Sequence, residues 1–593
     1  MFGPRQAGVL FAISSIVSAL PSQGIPALAR RQNNNGFIET SGVANNGSTL
    51  GYRKEIHALQ ADEDAWNMFL LGLSRFKDVD GSDPMSYYQI AAIHGQPYVA
   101  WDNNGPCSGC RPAGYCTHQS TLFPTWHRAY LALYEQALVG NAIAVAEQYT
   151  GDDRDRYMTA AENLRIPFWD WAALPADGEN PFPQMFTDEQ VFVNSPNGPM
   201  NISNPLTGYT FKRSEEHQFI GGDQTERKPS FTEANRAQLR SDLWTALSSD
   251  QIYNAFSTEA LAEDDGNFNP TSLEALHDNI HVLTGGHMAI VPQAAYDPVF
   301  WLHHTNVDRV FALYQAAYPD KWIVESAEVG SNMWYTSGSV KDGSSGLEPF
   351  HQTSDGVYWD SDDVRDTRKF NYVYDDLYNQ GVTPLINSLY SDKASGFEAG
   401  SNDEGNAKRS APATTLPGYL EKVTGAVPRL IEGKTNEYMA SIEVDAMAMN
   451  GSFTVYVFDG EFDETDASEW YCAKNLIGSH GFFSSPTSME SGSKVRAGIS
   501  ITDALFSRTL GGFLDDLTNG GVTSYLKNKI EWRIVDSTGC IKEGKDIPGF
   551  HLDVISSEVK IPEDNSCLPT WGKFDVLSEI TQGKNADDCD EEQ

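Results

Sequence analysis

Asp297-Pro298-Val299-Phe300-Trp301-Leu302-His303-His304-Thr305-Asn306-Val307-Asp308-Arg309 is the stretch on which the reading of this chain turns. Proline at a first helical turn loses no hydrogen bond and presets the backbone, so Pro298 opens a helix expected to run to Tyr314. That helix carries two adjacent imidazoles, His303 and His304. Upstream, Ser272 to Leu283 reads as another helix, with Asn269-Pro270-Thr271 as its start signal. His277 and His281 lie four residues apart on it, on one face, a spacing that can chelate one metal ion. Further upstream, Leu122 to Leu138 carries Trp126, Tyr130, Leu133, Tyr134 and Ala137 at helical spacing. His118 and His127 flank the short loop that leads into it, and His94 precedes both. An HxxxH pair alone is more often a surface accident, and a lone His94 more often structural. The joint pattern, two groups of three drawn from only 13 histidines, is specific. Three imidazoles without a carboxylate suit copper or zinc and leave a position open for an outside ligand.

The 297–309 stretch resembles the second copper-binding signature of the tyrosinase and catechol oxidase family, which haemocyanins share. Cys116-Thr117-His118, followed by Phe123-Pro124-Thr125-Trp126-His127-Arg128, resembles the first signature in fungal members. The resemblance covers about Arg53 to Tyr374 and, more loosely, the C-terminal part. It implies a mainly α catalytic core, a helical bundle holding two copper ions. His94, His118 and His127 would hold the first ion and His277, His281 and His304 the second. His303 is then a neighbour, although the residues alone leave the reverse open, and His287 is structural. Glu274 and Asp278 match positions where a Glu/Asn pair is one proposed aid to deprotonating a monophenol. Asp278 departs from the usual Asn, which leaves hydroxylation open. Phe300 matches the aromatic above the substrate ring and Val291 a gate residue. Asp308 and Arg309 read as partners behind the ligands or as a structural ion pair. The Cys-x-His spacing resembles members with a thioether, here Cys116 to His118; a disulfide from Cys116 to Cys107 or Cys110 is the alternative. Tyr372-Val373-Tyr374 and Arg53 resemble the pair that closes the core.

The implied activity is oxidation of o-diphenols, and of o-aminophenols, to o-quinones with O2. The rivals are a haemocyanin-like oxygen carrier and a dizinc hydrolase. The latter normally needs bridging carboxylates, which neither histidine group contains.

The chain has 593 residues, enough for two domains, and a formal charge of -39. Such a surface repels nucleic acid and anionic membranes, so neither is an expected partner. Residues 1–31 read as a signal peptide and propeptide ending at Arg30-Arg31, implying secretion to the exterior or cell wall. Sequons at Asn46, Asn201 and Asn450 are compatible with glycosylation. No other segment reads as a membrane span. The catalytic core is placed at 32–390 and a Gly/Ser/Asn/Asp-rich linker at 391–415, with Lys408-Arg409 as a site for a processing protease. Residues 416–593 are read as an all-β, sandwich-like domain, from the alternation in Tyr438–Val444, Phe453–Phe458, Ile530–Val535 and Phe550–Ile555. In relatives such a domain shields the copper site and inserts a side chain, for which Phe482 and Phe483 are candidates; a permanently attached stabilising domain is the alternative.

Overall fold

The computed structural model of the protein describes residues 36–44, 50–111, 113–174, 179–260, 269–379, 381–391, 433–485, 492–562 and 566–585. The signal segment, both dibasic pairs, Asn46, the linker beyond Ser391 and Cys589 lie outside them.

The core is a bundle of helices: α1 (Glu63–Asp78), α2 (Tyr87–His94), α3 (Phe123–Ala146), α4 (Glu233–Ser248), α5 (Leu273–Thr284) and α6 (Pro298–Ala317). Helix α3 is apolar all round and buried along nearly its whole length, the pattern of a central helix rather than a surface one. Its 24 residues would also suffice to cross a membrane, yet 94% of its apolar window is buried inside the protein. Gly72 lets α1 lie against it: a Cβ there would meet the Ala142 Cβ at 2.8 Å. Helix α5 starts one residue later than expected, because Ser272 itself accepts the Ala275 N–H at 3.0 Å. Helix α6 is capped by Asp297, which accepts the Val299 N–H at 2.9 Å.

Two short strands close the core. β1 (Gly51–Arg53) and β2 (Tyr372–Tyr374) pair in parallel, with Arg53 opposite Tyr374. Arg53, Tyr372 and Tyr374 are thus brought together from the two ends of the core.

The C-terminal part forms two four-stranded sheets, a sandwich as expected. Its strands are β3 (Lys434–Asp445), β4 (Phe453–Asp459), β5 (Leu476–Phe482), β6 (Lys494–Ser500), β7 (Ile530–Asp536), β8 (Ile541–Lys542), β9 (His551–Lys560) and β10 (Thr570–Val576). One sheet runs β5-β4-β7-β8 and the other β6-β3-β9-β10. Strands β5, β6, β8 and β10 escaped the sequence reading. In β5, Gly478, Ser479, His480 and Gly481 replace the apolar–polar alternation that marks its neighbours. The edge strand β5 lies on helix α5, where a Cβ on Gly481 would strike the Val282 Cβ at 2.4 Å.

Candidate metal centre

The first three histidines come from three different segments. His94 is the last residue of α2, which is tied to α3 by the Tyr130 hydroxyl donating to the Ile90 carbonyl at 2.7 Å. His118 lies on the loop before α3. The next residue, Gln119, has φ 56°, and its N–H donates to Glu274 Oε1 at 2.7 Å. Glu274 Oε2 also accepts from the Thr258 hydroxyl at 2.8 Å and the Glu259 N–H at 3.1 Å. The Glu274 carboxylate therefore braces the His118 loop, 3.4 Å from His118 Nδ1. His127 is in the first turn of α3 and gives its Nδ1 to the Phe123 carbonyl at 2.7 Å.

On α5 and α6 three nitrogens converge. His304 Nε2 lies 3.1 Å from His277 Nε2 and 3.2 Å from His281 Nε2. The helical spacing of the pair and the pitch of α6 thus aim His304, not His303, at the shared point. His303 stacks on the His277 ring at 5.0 Å, and its nitrogens have no hydrogen-bond partner among the described residues. Behind the three, His281 Nδ1 meets the Met288 carbonyl at 2.7 Å and His277 Nδ1 meets Asp278 Oδ1 at 2.8 Å. Donating Nδ1–H backward fixes the tautomer that presents the Nε2 lone pair forward.

Burial, and then the neighbouring imidazoles, depress the pKa of His94, His127, His277, His281 and His304 well below the ordinary value. All five are therefore neutral donors at physiological pH. Asp278 pairs with a second buried acid, Glu259, which no sequence feature singled out. Burial, together with the surrounding carboxylates, raises both. Asp278 has an N–H aimed at each oxygen, His277 Nδ1 at 2.8 Å and Phe483 N at 3.3 Å. The two carboxyls share one buried site in which the ionised form of each is disfavoured.

Further back, Asp308 accepts from Arg128 Nε at 2.6 Å, Arg53 Nη1 at 3.1 Å, Tyr372 Oη at 2.5 Å and Tyr374 Oη at 2.6 Å. Among the described residues no hydrogen bond joins it to an imidazole; it is the ion pair joining α6 to α3, one turn from His304 and one residue from His127. Arg309 pairs separately, with Asp376 and with Asp170 at 3.3 Å. Phe300, expected over the substrate ring, is wholly buried and touches one ring of each group, 4.0 Å from His304 and 5.0 Å from His94. Val291 is likewise buried. His287 is structural, bonded to the Glu226 N–H and the Ile220 carbonyl at 2.7 and 3.0 Å.

Comparison with known proteins decides what this arrangement belongs to. Residues 84–317 match the common central domain of tyrosinase, and 437–554 match the tyrosinase C-terminal domain. Polyphenol oxidase 2 of Agaricus bisporus is 31% identical over 390 residues, which span 60% of this chain and 68% of that protein. The chain belongs to the tyrosinase family. It is a type-3 copper oxidoreductase. A tyrosinase of Neurospora crassa is 28% identical over 90% of this chain and 95% of its own length. The solved structure of latent and active mushroom tyrosinase superposes with a TM-score of 0.73 at 25% identity, covering 91% of this chain and 98% of that one.

The residues fit the family's dicopper centre. His94, Cys116, His118 and His127 place their donor atoms within 4.8 Å of one another, as do His277, His281, His303 and His304. Nitrogens 3.1–3.2 Å apart are spaced for one ion with bonds of about 2 Å to each. Nε2 of His94 and Nε2 of His118, although buried, find no hydrogen-bond partner among the described residues, a cost that a metal bond removes. Cys107 and Cys110 form a disulfide, which leaves Cys116 buried, unbridged and 3.4 Å from His127 Nε2.

One aromatic ring from the β-domain reaches the centre. Phe483 lies flat on His281, with centroids 4.1 Å apart and planes 5° off parallel, and is 5.6 Å from His118 and 5.9 Å from His277. Phe482 points into the β-domain and stacks on Phe453 at 4.9 Å.

Proposed function

We propose that this chain oxidises o-diphenols, and o-aminophenols of the same shape, to o-quinones with O2, and that it is made as a latent, secreted proenzyme. Two catechols and one O2 give two quinones and two waters. The observation that carries the reading is Phe483: an aromatic ring stacked on a ligand imidazole takes the place a phenol ring would take. A bound copper pair supplies two-electron exchange between O2 and the diphenol. His94, His118 and His127 would hold the first ion and His277, His281 and His304 the second.

The protein's own contribution is positional. Carbonyls of Phe123 and Met288 and the Asp278 carboxylate orient His127, His281 and His277. Phe300 packs on one ring of each histidine group, His304 and His94, and so limits how those two imidazoles can turn. Glu274 holds the His118 loop through the Gln119 N–H. With Phe483 docked, a phenol is kept out; once the β-domain leaves, Asp278 Oδ2 loses its backbone donor and can accept a proton from the arriving substrate. A thioether between Cys116 and His118, as the resemblance implies, would lock that imidazole further; the tryptic peptide would then weigh two hydrogens less. Secretion is supported by the charge-free apolar N-terminal run, by exposed Asn201 and Asn450 in their sequons, and by the Cys107–Cys110 disulfide, which suits an oxidising compartment.

The test is oxygen uptake by the copper-loaded chain before and after proteolysis between the domains, with catechol and with tyrosine. Catechol uptake that rises on cleavage supports the reading, and tyrosine uptake reads whether Asp278 permits monophenol hydroxylation. Equal catechol uptake before and after cleavage refutes latency, and no uptake in either state refutes the enzyme.

A further inference from the structure

Strand β5 is the outer strand of its sheet, so every second backbone N–H along it points away from the sheet and needs an acceptor. Those groups belong to Ser479, Gly481 and Phe483, and each is met by a different side chain of the core. Gln238 Oε1 accepts from Ser479 at 3.0 Å, Asn279 Oδ1 from Gly481 at 3.1 Å and Asp278 Oδ2 from Phe483 at 3.3 Å. Gln238 returns a bond, its Nε2 donating to the Ser479 carbonyl at 2.9 Å. The same three residues are read by size. Ser479 Oγ receives Asn235 Nδ2 at 3.4 Å, Gly481 has no room for a Cβ beside Val282, and Phe483 fills the position over His281. His480 and Phe482 lie on the other face of the strand, in contact with each other at 4.9 Å.

Acceptors at a two-residue period, with alternate side chains selected, are how proteins recognise an extended peptide by strand addition. Here, however, core side chains, not a core strand, supply the ladder. We infer that the face formed by α4 and α5 is a peptide-recognition groove for an extended segment of pattern Ser-x-Gly-x-Phe, which ends at the copper centre. The groove accepts such a segment in trans when its own strand is displaced, so its ligand class is a short extended peptide with a small residue two positions before an aromatic. This inference rests on the docked form proposed above, but a blocking plug alone would not require it: Phe483 could be held by the β-domain with no register imposed by the core.

The test uses the full-length chain carrying Gly481→Val, whose own strand cannot seat against Val282. A labelled synthetic peptide of residues 476–485, Leu-Ile-Gly-Ser-His-Gly-Phe-Phe-Ser-Ser, is titrated into it and followed by fluorescence anisotropy. Saturable binding is expected, with the wild-type chain binding far less because its groove is filled. The same peptide bearing the Gly→Val change should bind at least about tenfold more weakly, as should the wild-type peptide when the protein also carries Asn279→Ala, the loss of one buried acceptor. Binding indifferent to both changes, or none at all, overturns the inference. Should the Gly481→Val chain not fold, hydrogen exchange on the wild-type and Asn279→Ala full-length chains decides. The Gly481 amide should exchange about tenfold faster in the variant, while amides paired within the sheet do not change. Equal rates overturn the inference. If cleavage fails to raise catechol oxidation yet the peptide binds, latency fails and the groove stands; with the outcomes reversed, only the groove fails.

Discussion

Replacing Asp308 by Asn changes no volume and removes one negative charge from a site where its exposure is 2%. The carboxylate there faces two guanidinium groups and two phenols, while the nearest other acid, Glu135, already accepts from Arg53 at 3.0 Å. The amide leaves Arg53 with Glu135 and Arg128 with the Val364 and Arg365 carbonyls in place of a carboxylate, and turns one acceptor oxygen into a donor that opposes Arg128 or a tyrosine. Breaking a buried pair in this way costs about 3–5 kcal/mol. For a core of more than 300 residues, with unfolding entropy near 2.1 cal/mol/K per residue, that is a fall of roughly 5–8 °C in the thermal midpoint. Because Asp308 joins α6 to α3 beside His304 and His127, bound copper should fall in the same variant at temperatures where the core is still folded. Burial alone would raise this carboxyl, but Arg128 and Arg53 override it and hold it below its ordinary value of 3.8. Its stabilising contribution is therefore present above that unfolded value and lost as pH drops through the depressed folded one, so the gap between wild type and variant should narrow in acid. Scanning calorimetry and copper analysis at pH 7 and pH 3 make the measurement. Asp376→Asn serves as control, because Asp376 is about a quarter exposed and Arg309 keeps Asp170. If the Asp308→Asn midpoint moves no more than that of the control, the hub argument fails.

Phe483→Ala should raise catechol oxidation by the uncleaved chain toward the cleaved level, whereas Phe482→Ala should leave it latent and destabilise the β-domain by about 3–5 kcal/mol; oxygen uptake and denaturant melts of the pair read the difference. His304→Ala should leave about one copper per chain and His303→Ala about two, by metal analysis of the purified proteins. Asp242, whose Oδ1 accepts the Ser500 N–H at 2.8 Å across the domain boundary, is pushed up by burial to about 6. A raised carboxyl stabilises the fold fully below its unfolded value and loses that contribution as pH climbs through the folded one. Asp242→Asn should therefore raise the thermal midpoint at pH 8 and leave it unchanged at pH 3; equal shifts at both pH values would contradict the assignment.

What was legible in the sequence is what is local along it. His277 and His281 are four residues apart on one helix, and His303-His304 follow a proline-started helix, so the spacing itself exposes the donors. Choosing His304 over His303 on geometry needed the rotation of α6 relative to α5, which no spacing carries. The β-domain was legible where strands alternate, as in Phe453–Asp459, and illegible in Leu476–Phe482, where glycine, serine and histidine sit on positions that contact the core. Those residues suit a strand completed by groups 202 and 205 positions away. Glu259 was missed for the same reason: its meaning lies in its pairing with Asp278.

Asp278 is where the local and distant patterns meet, and its residue type follows from both. One oxygen receives the His277 Nδ1–H at 2.8 Å and the other the Phe483 N–H at 3.3 Å. Only a carboxylate offers an acceptor in each direction; an asparagine would turn its NH2 toward one of the two donors. Asp278→Asn must therefore give up either the backbone of the plug or the tautomer-fixing bond behind His277, at about 1.5–3 kcal/mol for a lost bond to a charged group. In the first case the Phe483 amide loses exchange protection while the His277 ring nitrogens keep their NMR shifts; in the second the reverse holds. Were both left unchanged, the single carboxylate would not be what ties the copper ligand to the plug. Either loss alone shows that the strand carrying Phe483 is coupled to His277 through the one carboxylate that both of them bond.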